Sequence, residues 1–487
     1  MPKLNDILEG CNVYGIRGNP DTEISSVTSD SRKAGEGSLF FAIEGMHNDG
    51  HDFIDDAAGR GAAAVVCNRF PSRFDKGVTY VRVEDTATET GRIASAFYGH
   101  PSGQMKVLGI TGTNGKTTTA VLLHRLFMKL GYGAGLISTV DYRINDRTMP
   151  AYFTTPDPVA LQSLLSEMVS SGCSYCFMEV SSHSVVQKRI EGITFAGGIF
   201  TNITHDHLDY HEDFSAYLQA KKEFFDRLPE DAFALVNIDD KNGRLMIQNT
   251  PAAKKTFAIK RVADYKGRII ESHFDGTLLN IGGRELWTHL IGEFNAYNLL
   301  GAIAAADLLG ADTEKVLLVA STFGVVPGRF EYVRSESGTT AIVDYAHTPD
   351  ALENVLKTIK SLRKGKEEVI TVVGSGGDRD KGKRPVMASI AMKYSNKLIL
   401  TSDNPRNEDP EKIIEDMMDG IADEEKTKVL SITGRAEAIR AACMMASPGD
   451  IILVAGKGHE TYQEIKGKRH HFDDREVIES AFKTKVK

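Results

Sequence analysis

Residues 106–130 read KVLGITGTNGKTTTAVLLHRLFMKL, an apolar run, a glycine-containing turn and a second apolar-rich run in succession. The first run is typical of a buried strand, and the last predicts a helix that begins near Lys116. A turn at a helix N-terminus presents backbone N–H groups to a phosphate, and the lysine adds a positive charge. The residues expected around the phosphates are Gly112, Thr113, Asn114, Gly115, Lys116, Thr117 and Thr118.

This turn departs from the standard phosphate-binding pattern GxxxxGK[ST], because Ile110 occupies the position of the first glycine. The shorter pattern GxxGKTT remains at residues 112–118. A plain turn with a solvated lysine is the alternative interpretation. The strand before the turn and the helix after it favour the phosphate site, because both lie where that site needs them.

Short β-rich runs alternate with helical periodicity along the 487 residues, which predicts an α/β fold with parallel sheets and crossover helices. A chain of this length typically forms about three domains. Breaks rich in Gly and Pro predict an N-terminal domain at 1–103, a central domain at 104–332 and a C-terminal domain at 333–487. We expect a mostly parallel sheet around the phosphate turn and a doubly wound, Rossmann-like C-terminal domain.

The composition excludes several functional classes. Hydrophobic residues make up 41% of the chain and charged residues 25%, as in ordinary soluble domains. The net charge of −8, without a block of like charge, argues against a nucleic-acid or membrane surface. The N-terminus lacks the pattern of a signal peptide, and there is no apolar run of about 18 residues. We therefore expect a cytoplasmic protein.

The five cysteines are scattered and odd in number, which indicates reduced thiols. Cys173 and Cys176 form a CxxC pair that runs directly into an apolar segment. Because there is no second cysteine pair, buried structural thiols are favoured over a zinc or redox site.

Two further motifs follow strands of the central unit. Glu179 ends the apolar run YCFMEV, where a carboxylate can hold Mg²⁺ on nucleotide phosphates or can simply cap the strand. Residues 204–211, THDHLDYH, contain three histidines, which by themselves indicate zinc. Their position after a strand of the nucleotide unit favours a metal on the phosphates, and polar surface histidines are the other possibility.

Three strands of the C-terminal unit are each followed by a glycine-rich or charged loop, at residues 374–380, 403–406 and 456–460. In a doubly wound sheet such loops meet at one edge. Any one of them can be an ordinary turn. Together they predict a binding pocket for a molecule that is charged at both ends.

At these motifs the chain resembles the Mur ligases of peptidoglycan synthesis, and most closely the members that add meso-diaminopimelate. The matching stretches are DSR at 30–32, TGTNGKTT at 111–118, TTP at 154–156, EVSSH at 179–183, TNITHDHLDYH at 201–211, AK at 220–221, VPGR at 326–329, DYAHTPD at 344–350, GGDRDKGKRP at 376–385, DNPR at 403–406 and GKGHE at 456–460. The resemblance covers the whole chain. It implies an N-terminal domain for a uridine nucleotide, a central ATPase domain and a C-terminal domain for the incoming amino acid.

The resemblance also implies roles for single residues in binding ATP, UDP-N-acetylmuramoyl-L-alanyl-D-glutamate and meso-diaminopimelate. The uridine diphosphate end would contact Ser29 and Ser31. The muramoyl-dipeptide end would contact Thr154, Thr155, Ser181, Gln187 and Arg189. Beyond the phosphate turn, ATP would contact Asn295, Asn298, Arg329 and Asp344, with His347 as a further candidate. Diaminopimelate would contact Arg379, Asp403, Asn404, Pro405, Arg406, Gly456 and Glu460.

The same resemblance implies a magnesium site, which displaces the zinc interpretation. Its ligands would be Thr117, Glu179, His207 and a carbamate that CO₂ forms on Lys221. His205 and His211 would then lie around that site or at the surface. By composition alone, Lys221 and Lys222 are an ordinary solvated pair, so the carbamate rests on the resemblance. The expected catalytic groups are Lys116, Glu179, His207 and Lys221.

The reaction implied is formation of an acyl phosphate from ATP, followed by attack of an amine, in a protein we expect to be a monomer. Folylpolyglutamate synthase is an alternative that leaves DNPR and the N-terminal unit unexplained. A lysine-adding ligase is a second alternative, which Arg406 argues against because its planar fork suits a carboxylate that lysine lacks. A nucleotide-gated regulatory protein is a third, but it provides no role for Glu179, His207 or Lys221.

Overall fold

The computed structural model describes residues 1–45, 48–151, 153–204, 210 and 213–485. It shows three α/β units that follow one another along the chain, each built on its own sheet. The α/β class and the mostly parallel sheets predicted from the sequence are confirmed. The boundaries at residues 103 and 332 stay predictions. Within the described ranges, no helix is long and apolar enough to cross a membrane.

The N-terminal sheet has five strands in the spatial order β1-β5-β4-β3-β2. Only the pair of β1 with β5 is antiparallel. The strands are β1 (Val13–Arg17), β2 (Ser26–Thr28), β3 (Ser38–Phe41), β4 (Ala64–Cys67) and β5 (Thr79–Val83). The α-helices are α1 (Leu4–Ile7), α2 (Ile54–Gly59) and α3 (Thr86–Phe97). Three short 3₁₀ helices cover Ser31–Lys33, Gly50–Phe53 and Pro101–Gly103.

The central sheet has eleven strands in the order β16-β15-β14-β13-β12-β11-β6-β10-β7-β8-β9. Its parallel part consists of β6 (Lys106–Thr111), β7 (Ala134–Ile137), β10 (Tyr175–Glu179), β11 (Phe195–Phe200), β12 (Phe233–Asn237), β13 (Ala253–Ala258) and β14 (Tyr265–His273). The helices are α4 (Lys116–Lys129), α5 (Pro158–Ser170), α6 (Ser182–Val186), α7 (Phe214–Asp226), α8 (Gly243–Met246), α9 (Glu293–Leu308) and α10 (Thr313–Ala320).

Antiparallel strands extend this sheet at both ends and were not predicted from the sequence. They are β8 (Asp141–Ile144) and β9 (Arg147–Pro150) at one end and β15 (Gly276–Ile281) and β16 (Arg284–Thr288) at the other. The turn between β14 and β15 carries Phe274, which packs against the apolar core of the C-terminal unit. This extension therefore joins two of the three units through a hydrophobic contact.

The C-terminal sheet has six strands in the order β17-β18-β22-β19-β20-β21, with only β17 antiparallel. The strands are β17 (Glu331–Arg334), β18 (Thr340–Asp344), β19 (Val369–Ser375), β20 (Lys397–Ser402), β21 (Val429–Ser431) and β22 (Ile451–Ala455). The helices are α11 (Pro349–Leu362), α12 (Lys383–Tyr394), α13 (Pro410–Met418), α14 (Arg435–Met445) and α15 (Asp474–Lys485), with a 3₁₀ helix at Asp423–Lys428. A separate hairpin, β23 (Tyr462–Ile465) and β24 (Lys468–His471), was not predicted.

Apolar clusters cover both faces of the central and C-terminal sheets, which is why their strands read as continuous hydrophobic runs. In β6, every residue after the first is buried. Cys173 and Cys176 are buried free thiols, as the sequence predicted, and burial raises the pKa of both. A raised thiol pKa makes them poor nucleophiles and poor metal ligands.

An ion pair between Arg435 and Asp474 is the most deeply buried charge pair in the C-terminal unit. Both side chains are fully buried, and the guanidinium also donates to the Ala455 carbonyl at 3.1 Å. The pair joins α14, the start of α15 and the end of β22. The C-terminal helix is therefore fastened next to the loop at 456–460.

We expect Asp474→Asn to lower the free energy of unfolding of this unit by about 3–5 kcal/mol, because it leaves a buried guanidinium without its counter-charge. Urea denaturation followed by circular dichroism measures the change. Asp423→Asn is the matched control, since it removes an exposed partner of Lys426 and should leave the transition midpoint unchanged. Equal midpoints for the wild type and Asp474→Asn would contradict a stabilising role for the pair.

Candidate active site

One large cavity, of about 1130 Å³, lies where the central unit meets the C-terminal unit. The phosphate turn contributes residues 113–118 to its wall, and the end of β18 with the segment after it contributes residues 344–347. Because parallel strands end at this edge, the side chains that follow them converge here. The cavity brings together most of the site residues predicted in the central unit.

The backbone of the phosphate turn packs against the end of β11. Gly112 has φ +149°, and a Cβ atom there would lie 1.9 Å from Thr201 Oγ1. Gly115 has φ +89°, and its Cβ would lie 2.3 Å from Asn298 Oδ1. The Thr201 hydroxyl donates to the Asn114 carbonyl at 2.6 Å. Neither glycine can carry a side chain without displacing a neighbour, so the turn keeps its shape.

Two lysines converge on the same carbonyl oxygen of this turn. Lys116 Nζ donates to the Gly112 carbonyl at 2.9 Å and to the Thr113 carbonyl at 2.8 Å. Lys221 Nζ, which comes from α7 and is 1% exposed, donates to the Gly112 carbonyl at 2.8 Å. The two ammonium groups create a positive region beside the phosphate turn. Lys221 is thus a buried component of the site and not a solvated surface residue.

Glu179 lies in the same cavity and is fully buried. Its Oε1 accepts a hydrogen bond from the Thr139 backbone N–H at 2.8 Å, while Oε2 is buried without a partner among the described residues. A buried acceptor of this kind fits a hard cation. In the described ranges no group of three or more His, Cys, Asp or Glu side chains is placed to hold a metal. His205, His207 and His211 lie outside the described residues.

Arg329 and Asp344 lie at the junction of the two units. Arg329 donates to Thr117 Oγ1 at 3.2 Å, its guanidinium carbon lies 4.5 Å from the centre of the Tyr345 ring, and its Nε is buried without a partner among the described residues. Asp344 accepts from the backbone N–H groups of Phe330 and Ala346. Burial raises the pKa of Asp344 to about 6. An unpartnered guanidinium nitrogen beside the phosphate turn suits an anion.

A direct contact across this junction was not anticipated from the sequence. Asn114 Nδ2 in the phosphate turn donates to Asp350 Oδ2 in α11 at 2.8 Å. Burial raises the pKa of Asp350 above its ordinary range. The first turn of α11 therefore contacts the phosphate turn directly.

The residues expected to bind the muramoyl-dipeptide form one end of the cavity. Thr154, Thr155, Ser181 and Arg189 line it. Arg189 donates to the Thr155 carbonyl at 2.8 Å, and two of its nitrogens donate to Gln187 Oε1 at 3.0 and 2.6 Å. Gln187 is not in the wall and acts by orienting Arg189.

Other predicted residues lie away from this wall. Ser29 is exposed and Ser31 is buried at the start of a 3₁₀ helix, both in the N-terminal unit. Asn298 reaches the cavity, whereas Asn295 is buried inside α9 and donates to the Ile291 carbonyl at 2.9 Å. His347 is in the wall. Asn295 supports Asn298, whose amide donates to Asn295 Oδ1 at 3.3 Å.

The three C-terminal loops meet beside the cavity, as the sequence predicted, but only Arg379 is in the wall. The Gly377 N–H donates to the Asn404 carbonyl at 2.9 Å, and Arg406 donates to the Gly377 carbonyl at 2.7 Å. Asn404 donates to Glu460 Oε2 at 2.8 Å. Arg406 has a side chain that is 22% exposed, so it is not a freely solvated turn residue.

Strand β23 holds the loop at 403–406, and sequence reasoning missed this. Gln463 Nε2 donates to the Asp403 carbonyl at 2.6 Å, and the Glu464 N–H donates to Asn404 Oδ1 at 2.9 Å. Arg406 exchanges two backbone hydrogen bonds with this hairpin and has φ +50°. Pro405 and Gly456 complete the cluster, with the position of a Gly456 Cβ only 2.5 Å from Asp403 Oδ2.

Comparison with known proteins places these features in a family. Three family models match the chain: Mur ligase family, catalytic domain, at residues 23–98, Mur ligase middle domain at 110–306, and Mur ligase, glutamate ligase domain, at 328–458. Together they cover the three units described above.

Relatives and solved structures agree over the full length. A protein of Bacteroides fragilis named UDP-N-acetylmuramoyl-L-alanyl-D-glutamate–2,6-diaminopimelate ligase is 53% identical over 99% of this chain and 100% of its own length. One of the same name from Phocaeicola vulgatus is 54% identical over 99% of both chains. A solved structure with that name is 31% identical, covers 100% of this chain and 99% of its own, and has a TM-score of 0.72. The chain belongs to the Mur ligase family.

Proposed function

We propose that this protein is an ATP-dependent ligase that forms an amide bond between UDP-N-acetylmuramoyl-L-alanyl-D-glutamate and meso-diaminopimelate. The product would be a precursor of peptidoglycan, made in the cytoplasm. The observation that carries the proposal is that Lys116 and Lys221 converge on one phosphate turn and Glu179 lines the same cavity, in a chain that is 53% identical to a relative of that name.

The first half of the reaction needs charge stabilisation more than covalent chemistry from the protein. The D-glutamyl γ-carboxylate attacks the γ-phosphoryl group of ATP, which yields an acyl phosphate and ADP. The carboxylate would lie near Thr154, Ser181 and Arg189, at the same cavity as the phosphate turn. Lys116 and the unpartnered Nε of Arg329 would stabilise negative charge on the phosphates.

Thr117, Glu179, His207 and the carbamate of Lys221 would hold Mg²⁺, which when bound neutralises charge on the phosphates. The buried, unpartnered Oε2 of Glu179 fits this role. The Lys221 ammonium shares an acceptor with the Lys116 ammonium. Conversion of Lys221 to a carbamate anion would replace repulsion between two like charges by attraction to Lys116.

In the second half, an amine of diaminopimelate attacks the acyl phosphate, and inorganic phosphate leaves from the tetrahedral intermediate. The protein contributes position and exclusion of water, because the acyl phosphate would otherwise be hydrolysed. The contact of Asp350 with Asn114 supports a closed arrangement of the two units. The C-terminal loops would hold the amino acid close to the cavity.

The competing interpretations account for less of the chain. Assignment as a folylpolyglutamate synthase would leave the loop at 403–406 and the N-terminal unit without a role. A nucleotide-gated regulatory protein has no use for buried Glu179 and Lys221. Monomeric state and a cytoplasmic location are further parts of this proposal.

A coupled phosphate-release assay with a panel of amino acids tests the function. We expect phosphate only when the nucleotide-dipeptide and diaminopimelate are both present. Lys116→Ala should lower kcat by about 100-fold or more with the fold intact, because it removes a positive charge from the phosphate site. Lys129→Ala, at the exposed end of α4, is the control. ATP hydrolysis that needs neither substrate would favour a regulatory protein instead.

The carbamate is tested at Lys221. We expect Lys221→Ala to be nearly inactive, and millimolar bicarbonate or a short carboxylic acid to restore part of the activity by replacing the missing anion. Lys222→Ala is a matched control, because Lys222 pairs with Asp226 at 2.6 Å and has no proposed role at the phosphate turn. Full activity of Lys221→Ala in CO₂-depleted buffer would rule the carbamate out.

Substitution of Arg406 tests whether this residue selects diaminopimelate over lysine. Diaminopimelate carries a second carboxylate that lysine lacks, and loss of a charged partner for such a group costs about 2–5 kcal/mol. We expect Arg406→Ala to lower kcat/KM for diaminopimelate by about 30-fold or more, with little change in the already slow reaction of L-lysine. Arg440→Ala, an exposed arginine of α14, is the control. Equal losses for both amino acids would refute selection by Arg406.

A further inference from the structure

Lys457 is a fully buried lysine in the loop at 456–460, one of the three C-terminal loops proposed to hold the amino acid. The proposed reaction gives this lysine no role. Its Nζ donates to Glu460 Oε2 at 2.9 Å and to Asn404 Oδ1 at 3.1 Å, and it lies 5.5 Å from the centre of the Tyr462 ring. The lysine side chain has no exposed surface. A buried ammonium is costly unless it is paired, so its position next to two carboxylates has a reason.

Lys457 lies among charged groups of both signs. Asp403 and Glu460 each contribute a negative charge, and Lys457 compensates one of them. Arg435 is compensated by Asp474. Burial alone would raise the pKa of Asp403, but the positive charges of Lys457 and Arg435 outweigh it, and the pKa lies below its ordinary value. Lys457 therefore contributes one positive charge beside the two carboxylates of this cluster.

Lys457 also fixes the orientation of the Asn404 amide. The Asn404 oxygen accepts from Lys457 Nζ and from the Glu464 N–H, so its Nδ2 faces Glu460 Oε2. Glu460 Oε2 is therefore occupied twice, whereas Oε1 forms no hydrogen bond with the described residues. The side chain of Glu460 is 16% exposed. One carboxylate oxygen is held in place and the other is left for a ligand.

We infer that Lys457 is a positioning residue for the amino-acid substrate, which holds the Glu460 carboxylate oriented toward the ammonium group at the far end of a diamino acid. The inference rests on the proposed function and names a residue beyond those that would touch the substrate. Lys457 acts through Glu460 and Asn404, and it contacts no reacting atom.

Other charged or titratable groups surround the same cluster and belong to several elements. They are Arg329, Tyr345, His347, Arg406, Arg435, His459, Tyr462, Glu464 and Arg469. Burial lowers the pKa of His459 to about 3, so this imidazole stays neutral at working pH. None of these described groups donates a hydrogen bond to Glu460, whereas Lys457 does.

The test is Lys457→Met in the full-length protein, with steady-state kinetics for meso-diaminopimelate at pH 7. We expect KM for diaminopimelate to rise by about 10- to 100-fold, the range for a lost hydrogen bond to a charged group, with a smaller change in kcat. Lys468→Met, an exposed lysine on β24, is the matched control.

A double-mutant cycle with Glu460→Gln separates positioning from a merely structural effect. If Lys457 acts through Glu460, Lys457→Met should change KM by less than about threefold in the Glu460→Gln background. Additive effects of the two substitutions would overturn the inference. Circular dichroism of each variant confirms folding, and Lys457→Gln, which keeps a donor and removes the charge, gives the same comparison if Lys457→Met is unstable.

The outcome also distinguishes this inference from the proposed function. A wild-type protein that does not respond to diaminopimelate would refute the function itself. A wild-type protein that does respond, together with a Lys457→Met variant of unchanged KM, would refute only the positioning role.

Discussion

The close packing of the phosphate turn against the end of β11 is the constraint on which the site depends. Gly112 and Gly115 leave no room for side chains, since Thr201 and Asn298 occupy the space where a Cβ would project. This packing directs the Gly112 carbonyl toward both Lys116 and Lys221. A single backbone oxygen therefore brings together charges from α4 and α7, which are about 100 residues apart in the chain.

The cavity is shared between two units, and this has a chemical consequence. The central unit supplies the phosphate turn and Glu179, and the C-terminal unit supplies Asp344 at the end of β18 and His347 after it. A site divided in this way is complete only when the units are together. Because an acyl phosphate is sensitive to water, assembly of the site by closure protects the intermediate at the moment when it forms.

The three C-terminal loops, at 374–380, 403–406 and 456–460, place their charged groups in a different way. Apart from Arg379, their charged groups lie outside the wall of the large cavity, and the loop at 403–406 is fixed by hydrogen bonds to a hairpin that follows all three loops in the chain. Buried Lys457 compensates one of two carboxylates, and Arg435 pairs with Asp474. In a region of low dielectric constant such pairing decides which groups remain charged, and so decides which ligand charges are accepted.

Periodicity and local motifs predicted the α/β class, the strands of the parallel cores and the phosphate turn, because those features depend on residues close together in the chain. The resemblance added the carbamate of Lys221 and the roles of single residues in the C-terminal loops. The antiparallel extensions of the central sheet and the hairpin β23–β24 were missed, since their short strands have no strong hydrophobic alternation of their own.

The sequence by itself thus determined which chemical groups the protein carries and which strand ends they follow. Only the tertiary structure decided which groups touch. Lys457 and Glu460 lie three residues apart in a motif that the sequence made conspicuous, yet their shared partner Asn404 is apparent only once β20 and β22 end at the same edge of a sheet. The contact of Asn114 with Asp350 joins residues of two units, and no local pattern encodes it. Such pairings depend on how the sheets and helices pack, because hydrogen bonds and charge pairs form between groups brought close in space, whatever their separation in the chain.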